Sequence, residues 1–248
     1  MPTTQQETYK LYYWNSLQGR GEFIRLILED SGIPYIDVAR EPEEEYGGVA
    51  KVAAFRNGTS EGYPIFAPPV LKVGDLVIAQ TTNICRFLGE SLGLIPDDEV
   101  SRLQANQIML TIDDLIVEVH DIHHPVAKVL YFEEQKEAAI ARAKVFHEER
   151  LPRMLRYFER VLSYNESCNL VGKEISYVDL VMFQMLEGLN YAFPKGFGKL
   201  STEIPQLLKL RDTVAQRPRI KAYLESERRI DFNTNGIFRH YPELDLQD

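Results

Sequence analysis

Cysteine is scarce: Cys85 and Cys168 are the only two in 248 residues, far apart and without metal-ligand spacing. That argues against a disulfide framework, a zinc-finger fold and a two-cysteine redox motif. It makes each thiol a small apolar core residue rather than a nucleophile, so any thiol chemistry has to come from a ligand. Positive charge is also short, with 28 Lys and Arg against 37 Asp and Glu and a formal net charge of -9. A nucleic-acid surface needs clustered cations to displace counterions, and no such cluster is present. Long apolar runs are missing, so no segment reads as a bilayer span. The polar stretch from Met1 to Thr8 lacks the basic-then-apolar order of a secretory leader, and the expected location is cytoplasmic. Neither internal repeats nor low-complexity tracts occur.

What remains is ordinary globular material, 44% hydrophobic and 26% charged, in a chain long enough for one large domain or two modest ones. Tyr9 to Trp14 is aromatic-rich and reads as a strand, followed by a polar loop with Gly19 and Gly21. Phe23, Ile24, Ile27 and Leu28 recur at helical spacing, and Ser31-Gly32 stops that helix before a second strand around Tyr35-Ile36-Asp37. Gly74-Asp75 separates two short apolar strands, 69–73 and 76–79, as an antiparallel hairpin. Thr81 then opens a helix with Ile84, Phe87 and Leu88 on one face. The order is βαβ, then ββα. Residues 41–63 carry too weak a pattern to assign.

Past Pro96-Asp97-Asp98 the period becomes helical. Long helices are expected over 100–123, 133–163, 177–191 and 204–216, with a short one over 218–228 and a kink or break at Pro152. Ser176 and Asp179 form a capping-box pattern. Residues 232–248 are an aromatic and polar tail without periodicity.

This order of elements resembles the cytosolic glutathione transferases. Four motifs carry the likeness: Tyr9-Lys10-Leu11-Tyr12-Tyr13-Trp14-Asn15 with Gly19-Arg20-Gly21-Glu22, then Pro68-Pro69-Val70-Leu71, Gln80-Thr81, and Ser176 to Asp179. The first is similar to sigma- and mu-class members. The fold implied is a thioredoxin-like α/β domain over residues 1–94, followed by an all-helical domain over 95–248. The resemblance implies glutathione as co-substrate, a small hydrophobic electrophile as second substrate, a homodimer, a role in detoxification and no metal.

In this family a hydroxyl at the end of the first strand hydrogen-bonds the glutathione sulfur and favours its thiolate. Tyr13 matches that position. The stretch from Tyr13 to Gly19 is one residue longer than in the sigma pattern, which keeps Tyr12 and Ser16 open as alternatives. Pro69 matches a proline that is cis in the family and sets the preceding residue against the glutathione backbone. Here that residue is Pro68, which has no N–H and can offer only its carbonyl, weakening glutathione by about 1 kcal/mol. Gln80 and Thr81 match the pair that holds the γ-glutamyl end at a helix N-terminus. Lys51 and Asn106 are further ligand-binding candidates by analogy.

His120, His123 and His124 share one helix face and could ligate zinc, but no fourth ligand is evident and Pro125 ends the segment; a solvated or capping cluster is the expectation. Asp113 and Asp114 read as surface or cap partners. Beside conjugation, the fold also admits a non-catalytic ligand-binding scaffold, or a glutathione-dependent peroxidase or isomerase.

Overall fold

The computed structural model describes residues 8–60 and 62–247; the reading of the extreme N-terminus lies almost wholly outside them. β1 (Tyr9–Tyr12) leads through a loop to α1 (Gly21–Ser31), and β2 (Tyr35–Asp37) returns parallel to β1, with Leu11 opposite Asp37. Phe23, Ile24, Leu26, Ile27 and Leu28 of α1 are all buried. The helix stops at Gly32, whose φ of +69° turns its N–H back onto the carbonyls of Leu28 and Glu29, a cap that a side chain would disfavour.

Residues 41–63, without a readable pattern, hold two short helices, α2 (Glu43–Tyr46) and α3 (Gly48–Arg56). β3 (Val70–Val73) and β4 (Leu76–Ala79) form the expected hairpin and α4 (Thr81–Ser91) follows. The sheet order is β2-β1-β3-β4, with β3 antiparallel to both its neighbours. α4 buries Ile84, Cys85 and Leu88 and packs against α1.

The rest is helical. Asp98 caps α5 (Glu99–His123) by accepting the Ser101 N–H at 2.9 Å. The helix expected over 133–163 is divided into α6 (Lys136–Val145), a π-helical turn over Phe146–Arg150, and α7 (Leu151–Tyr164). Pro152 supplies the reason: it has no N–H for a regular helical bond, and the turn before it widens. α8 (Tyr177–Ala192) is buried nearly all round, as its apolar composition requires. At its start Asp179 accepts the Ser176 N–H at 2.7 Å and hydroxyl at 2.6 Å, and burial pushes its carboxyl up to about 6.

A short helix, α9 (Pro194–Leu200), was not expected, because Gly196 and Gly198 blur its period. α10 (Pro205–Ala215) and α11 (Pro218–Leu224) complete the set. α1 packs on both α8 and α11, so the α/β part and the helical part share one continuous apolar core. Cys85 is fully buried, as expected, whereas Cys168 is only half-buried, in a loop where its φ is +59°.

The tail is pinned with one short 3-10 turn, Pro242–Leu244, as its only regular structure among the described residues. His123 Nε2–H donates to the Ile237 carbonyl at 2.9 Å, and Asp245 accepts the N–H groups of Lys195 and Gly196. Phe232 stacks on Tyr191 and Tyr241 on Phe132.

Candidate active site

Strand register gathers three of the four motifs. Tyr12 lies opposite Val70, and Val70 opposite Ala79, so these residues form a row across β1, β3 and β4. One step beyond that row stand Tyr13, Pro69 and Gln80. With strands about 4.8 Å apart, this edge spans roughly 10 Å. The N-termini of α1 and α4 sit at the same edge, so their free N–H groups and partial positive charge converge there.

Tyr13 lies just past the end of β1 and is 7% exposed. Its hydroxyl oxygen accepts the Arg20 N–H at 2.9 Å, which leaves its own proton free to donate. The flanking glycines make that approach possible: a Cβ on Gly21 would lie 2.4 Å from the Tyr13 ring, and one on Gly19 2.3 Å from its hydroxyl. Burial pushes the phenol above its ordinary value, and the Arg20 N–H with the charges of Arg25 and Arg20 pulls the other way. Neither alternative shares this setting. Tyr12 points to the opposite face and meets Phe55 edge-on at 5.1 Å, and Ser16 is exposed in the loop.

The Pro68–Pro69 peptide bond is cis, with Pro68 half-buried and Pro69 buried. Gln80 has a φ of +70°, rare for a residue with a side chain and a conformation that clusters at ligand sites. The Thr81 hydroxyl beside it is buried and has no hydrogen-bond partner among the described residues, and the same holds for Thr82. An unmet buried hydroxyl costs about 1–3 kcal/mol, which a bound carboxylate at this helix N-terminus would offset.

Lys51 stands exposed on the first turn of α3 with its stem over Gly47, and Asn106 is partly exposed on α5. Neither has a hydrogen bond to Tyr13, Gln80 or Thr81 among the described residues. His120 and His124 stack at 5.0 Å between ring centroids and His123 meets both edge-on at 5.2 and 4.8 Å, and no group of three or more His, Cys, Asp and Glu among the described residues could hold a metal ion.

Sequence reasoning missed the polar groups behind the site. Arg25 is fully buried, donating to Asp37 at 2.7 Å, to Glu22 at 3.3 Å and to the Trp14 carbonyl at 3.4 Å. Burial raises the Asp37 carboxyl despite the Arg25 charge beside it. Asp113, expected as a surface or cap residue, instead accepts from the Arg20 side chain at 2.7 Å and ties α5 to the start of α1. The available signal was Glu22 and Arg25 at i, i+3 inside an apolar helix.

Residues 120–227 match the family described as Glutathione S-transferase, C-terminal domain. The chain is 30% identical over 236 residues to Glutathione S-transferase P 2 of Bufo bufo, covering 92% of this chain and 98% of that protein. It is 27% identical over 227 residues to a Glutathione S-transferase of Plasmodium falciparum, covering 88% and 95%. Among solved structures, a Pi-class Glutathione S-transferase of Onchocerca volvulus superposes with a TM-score of 0.71 at 24% identity, covering 94% of this chain and 99% of that one.

Proposed function

The chain belongs to the glutathione S-transferase family and is a glutathione transferase, and we propose that Tyr13 is the residue that activates the thiol. The observation that carries this reading is the Tyr13 hydroxyl oxygen held by the Arg20 N–H beside the N-terminus of α1. With one lone pair taken, the phenol O–H donates a hydrogen bond to the glutathione sulfur, keeping its own proton, and so favours the thiolate over the thiol, whose proton is released to solvent. A free thiol titrates near about 8.5, and each unit of depression is about 1.4 kcal/mol. The thiolate then attacks the electrophilic carbon: the sulfur lone pair forms the new bond, and in a substitution the leaving group departs with the pair of the bond it breaks, whereas in an addition the displaced pair stays on the electrophile and takes a proton from solvent.

Thr81 and Gln80 receive the γ-glutamyl end, with the ligand carboxylate on the Thr81 N–H and hydroxyl. Pro68 contributes only its carbonyl to the peptide backbone of the ligand. Lys51 and Asn106 are further ligand-binding candidates by analogy. We assign the division between domains to residues 94 and 95, in the connection between α4 and α5.

The electrophiles are small hydrophobic molecules bound between the domains, which fits a detoxifying role in the cytoplasm. A homodimer is supported by the exposed apolar residues Val100, Leu103 and Leu110 on one side of α5, and by Tyr63 and Phe66, 81% and 88% exposed, ahead of β3.

Isothermal titration with glutathione, read together with ultraviolet thiolate absorbance at neutral pH, tests the assignment. Wild type is expected to bind and to form thiolate. Tyr13→Phe is expected to bind but to lose the absorbance, with kcat/KM reduced on the order of 10²-fold. A Tyr13→Phe variant that keeps the thiolate would transfer the role to Ser16 or Tyr12.

A further inference from the structure

The loop from Tyr13 to Arg20 is held from the far side of the molecule. Gln18, at its centre, is 4% exposed, although a loop glutamine is ordinarily solvated. Its Nε2 donates to the Ile230 carbonyl at 2.5 Å, its Oε1 accepts from Gln184 Nε2 at 2.7 Å, and its carbonyl accepts the Glu22 N–H at 3.0 Å.

Gln184, on α8 and fully buried, accepts in turn from Arg229 Nη2 at 2.9 Å. Arg229 Nη1 donates to Glu22 at 2.5 Å, and Glu22 also accepts the Tyr223 hydroxyl at 2.6 Å. The bonds therefore close a ring: Gln18, Gln184, Arg229, Glu22, and back to Gln18 through the backbone. Charge closes as well, because Glu22 and Asp37 balance Arg25 and Arg229. The segment spanned by this ring is Gly19-Arg20-Gly21, the backbone that touches Tyr13.

We propose that Gln18, Gln184 and Arg229 are positioning residues for thiol activation: through this ring the helical domain and the C-terminal segment fix the Gly19-Arg20 backbone so that its N–H meets the Tyr13 oxygen. The proposal rests on the assignment of Tyr13 to the thiol. The physical reason is geometric. An N–H···O bond weakens steeply when its angle or length slips, and a phenol that accepts a hydrogen bond is a stronger donor through its own O–H. A loop with two glycines has little stiffness of its own, so the anchorage must come from elsewhere. Asn233, which donates to the Ser16 carbonyl at 2.8 Å, ties the same loop to the tail a second time.

The experiment is a pH titration of the ultraviolet thiolate absorbance of bound glutathione in wild type, Gln18→Ala, Gln184→Met and Tyr13→Phe, with glutathione affinity by calorimetry and thermal unfolding of each variant. Gln184→Met changes the helical core, whereas Gln18→Ala only trims a loop side chain and serves if the former does not fold. The expected result is a midpoint raised by about one pH unit in Gln18→Ala and Gln184→Met, a roughly tenfold loss of thiolate below the midpoint. Glutathione affinity is expected to change by less than about threefold, under 1 kcal/mol. A purely structural role would lower the melting temperature and leave the midpoint alone, and that result overturns the proposal while Tyr13→Phe still abolishes the signal. If Tyr13→Phe retains the thiolate, the Tyr13 assignment itself fails and takes the positioning role with it.

Discussion

The sheet edge and the seam between the domains treat buried polar atoms differently, although one seam atom, Asp37 Oδ1, is also unpaired among the described residues. At the edge, the Thr81 and Thr82 hydroxyls are buried with no partner among the described residues, and Gln80 holds a backbone conformation that few side chains adopt. In the seam, Glu22 accepts from Arg25, Tyr223 and Arg229, and Asp30 takes both arms of Arg217 at 2.6 and 2.8 Å. A buried group left open costs free energy unless something arrives to fill it, whereas a closed set of pairs holds its surroundings in one arrangement. On the proposed assignment, the edge is where a ligand would satisfy open groups, and the seam is what would keep the receiving residues still.

The largest effect is expected where the seam is cut. Arg25→Met removes a cation from between two buried carboxylates and leaves Glu22 and Asp37 short of a partner. Breaking a buried pair from one side costs about 3–5 kcal/mol, because a charge remains uncompensated. Chemical denaturation should show that loss as a lower midpoint with an unchanged slope. A loss below about 1 kcal/mol would mean that the seam is held by its apolar packing alone, as exposed pairs are.

The two regions were also unequally legible in the sequence. Strong local signals gave the β1, α1, β2 order, the Gly74-Asp75 hairpin and the start of α4, because each carries its own period and its own stop. α2 escaped because its single turn buries no residue, α3 because it buries only Gly48 and Val52 and so shows no apolar stripe, and α9 because Gly196 and Gly198 blur its short pattern. At the site, Tyr13, Pro69, Gln80 and Thr81 were readable through motif order, and strand register brings their segments to one edge. Lys51 and Asn106 were named by analogy alone and make no bond to that group. The seam was hardly readable: the i, i+3 spacing of Glu22 and Arg25 is its one local signal and equally fits the solvated charges of an amphipathic helix, and the partners of Glu22, Tyr223 on α11 and Arg229 just after it, lie about two hundred positions away. Only folding shows that these charges face inward.

A smaller effect, and of opposite sign on two measurements, is expected at the edge. Thr81→Val keeps the shape of the side chain and deletes the unpaired hydroxyl. Glutathione should bind about 10- to 100-fold more weakly, the equivalent of one charge-assisted hydrogen bond of about 1.5–3 kcal/mol. The unliganded protein should be unchanged or slightly more stable, since a buried unmet polar atom has gone. Calorimetry and thermal unfolding on one preparation give both numbers. Weaker binding accompanied by an equal loss of stability would identify Thr81 as a structural cap only, and would remove the contrast with the seam.

The gentlest test addresses a point where the tail's anchorage breaks its own rule. His123 donates through Nε2 to Ile237, but its buried Nδ1 has no partner among the described residues, and the rings of His120 and His124 lie against it. Burial is the main force that pushes His123 down to about 3, helped by the nearby charge of Arg239 and by its two histidine neighbours and opposed by the Ile237 carbonyl. An unfolded histidine titrates near about 6.5, so below that pH the unfolded chain binds a proton that the folded chain refuses. The stabilisation from neutral His123 is complete above about pH 6.5 and is lost as pH falls, by about 1.4 kcal/mol for each unit. His123→Gln removes the titrating group, so its denaturation midpoint should fall less than that of wild type between pH 6.5 and 5.5. Parallel decline in the two proteins would move the acid sensitivity to other groups, with His120 beside Asp121 and Arg239 the first to examine, and would leave the tail's hold on the loop independent of pH.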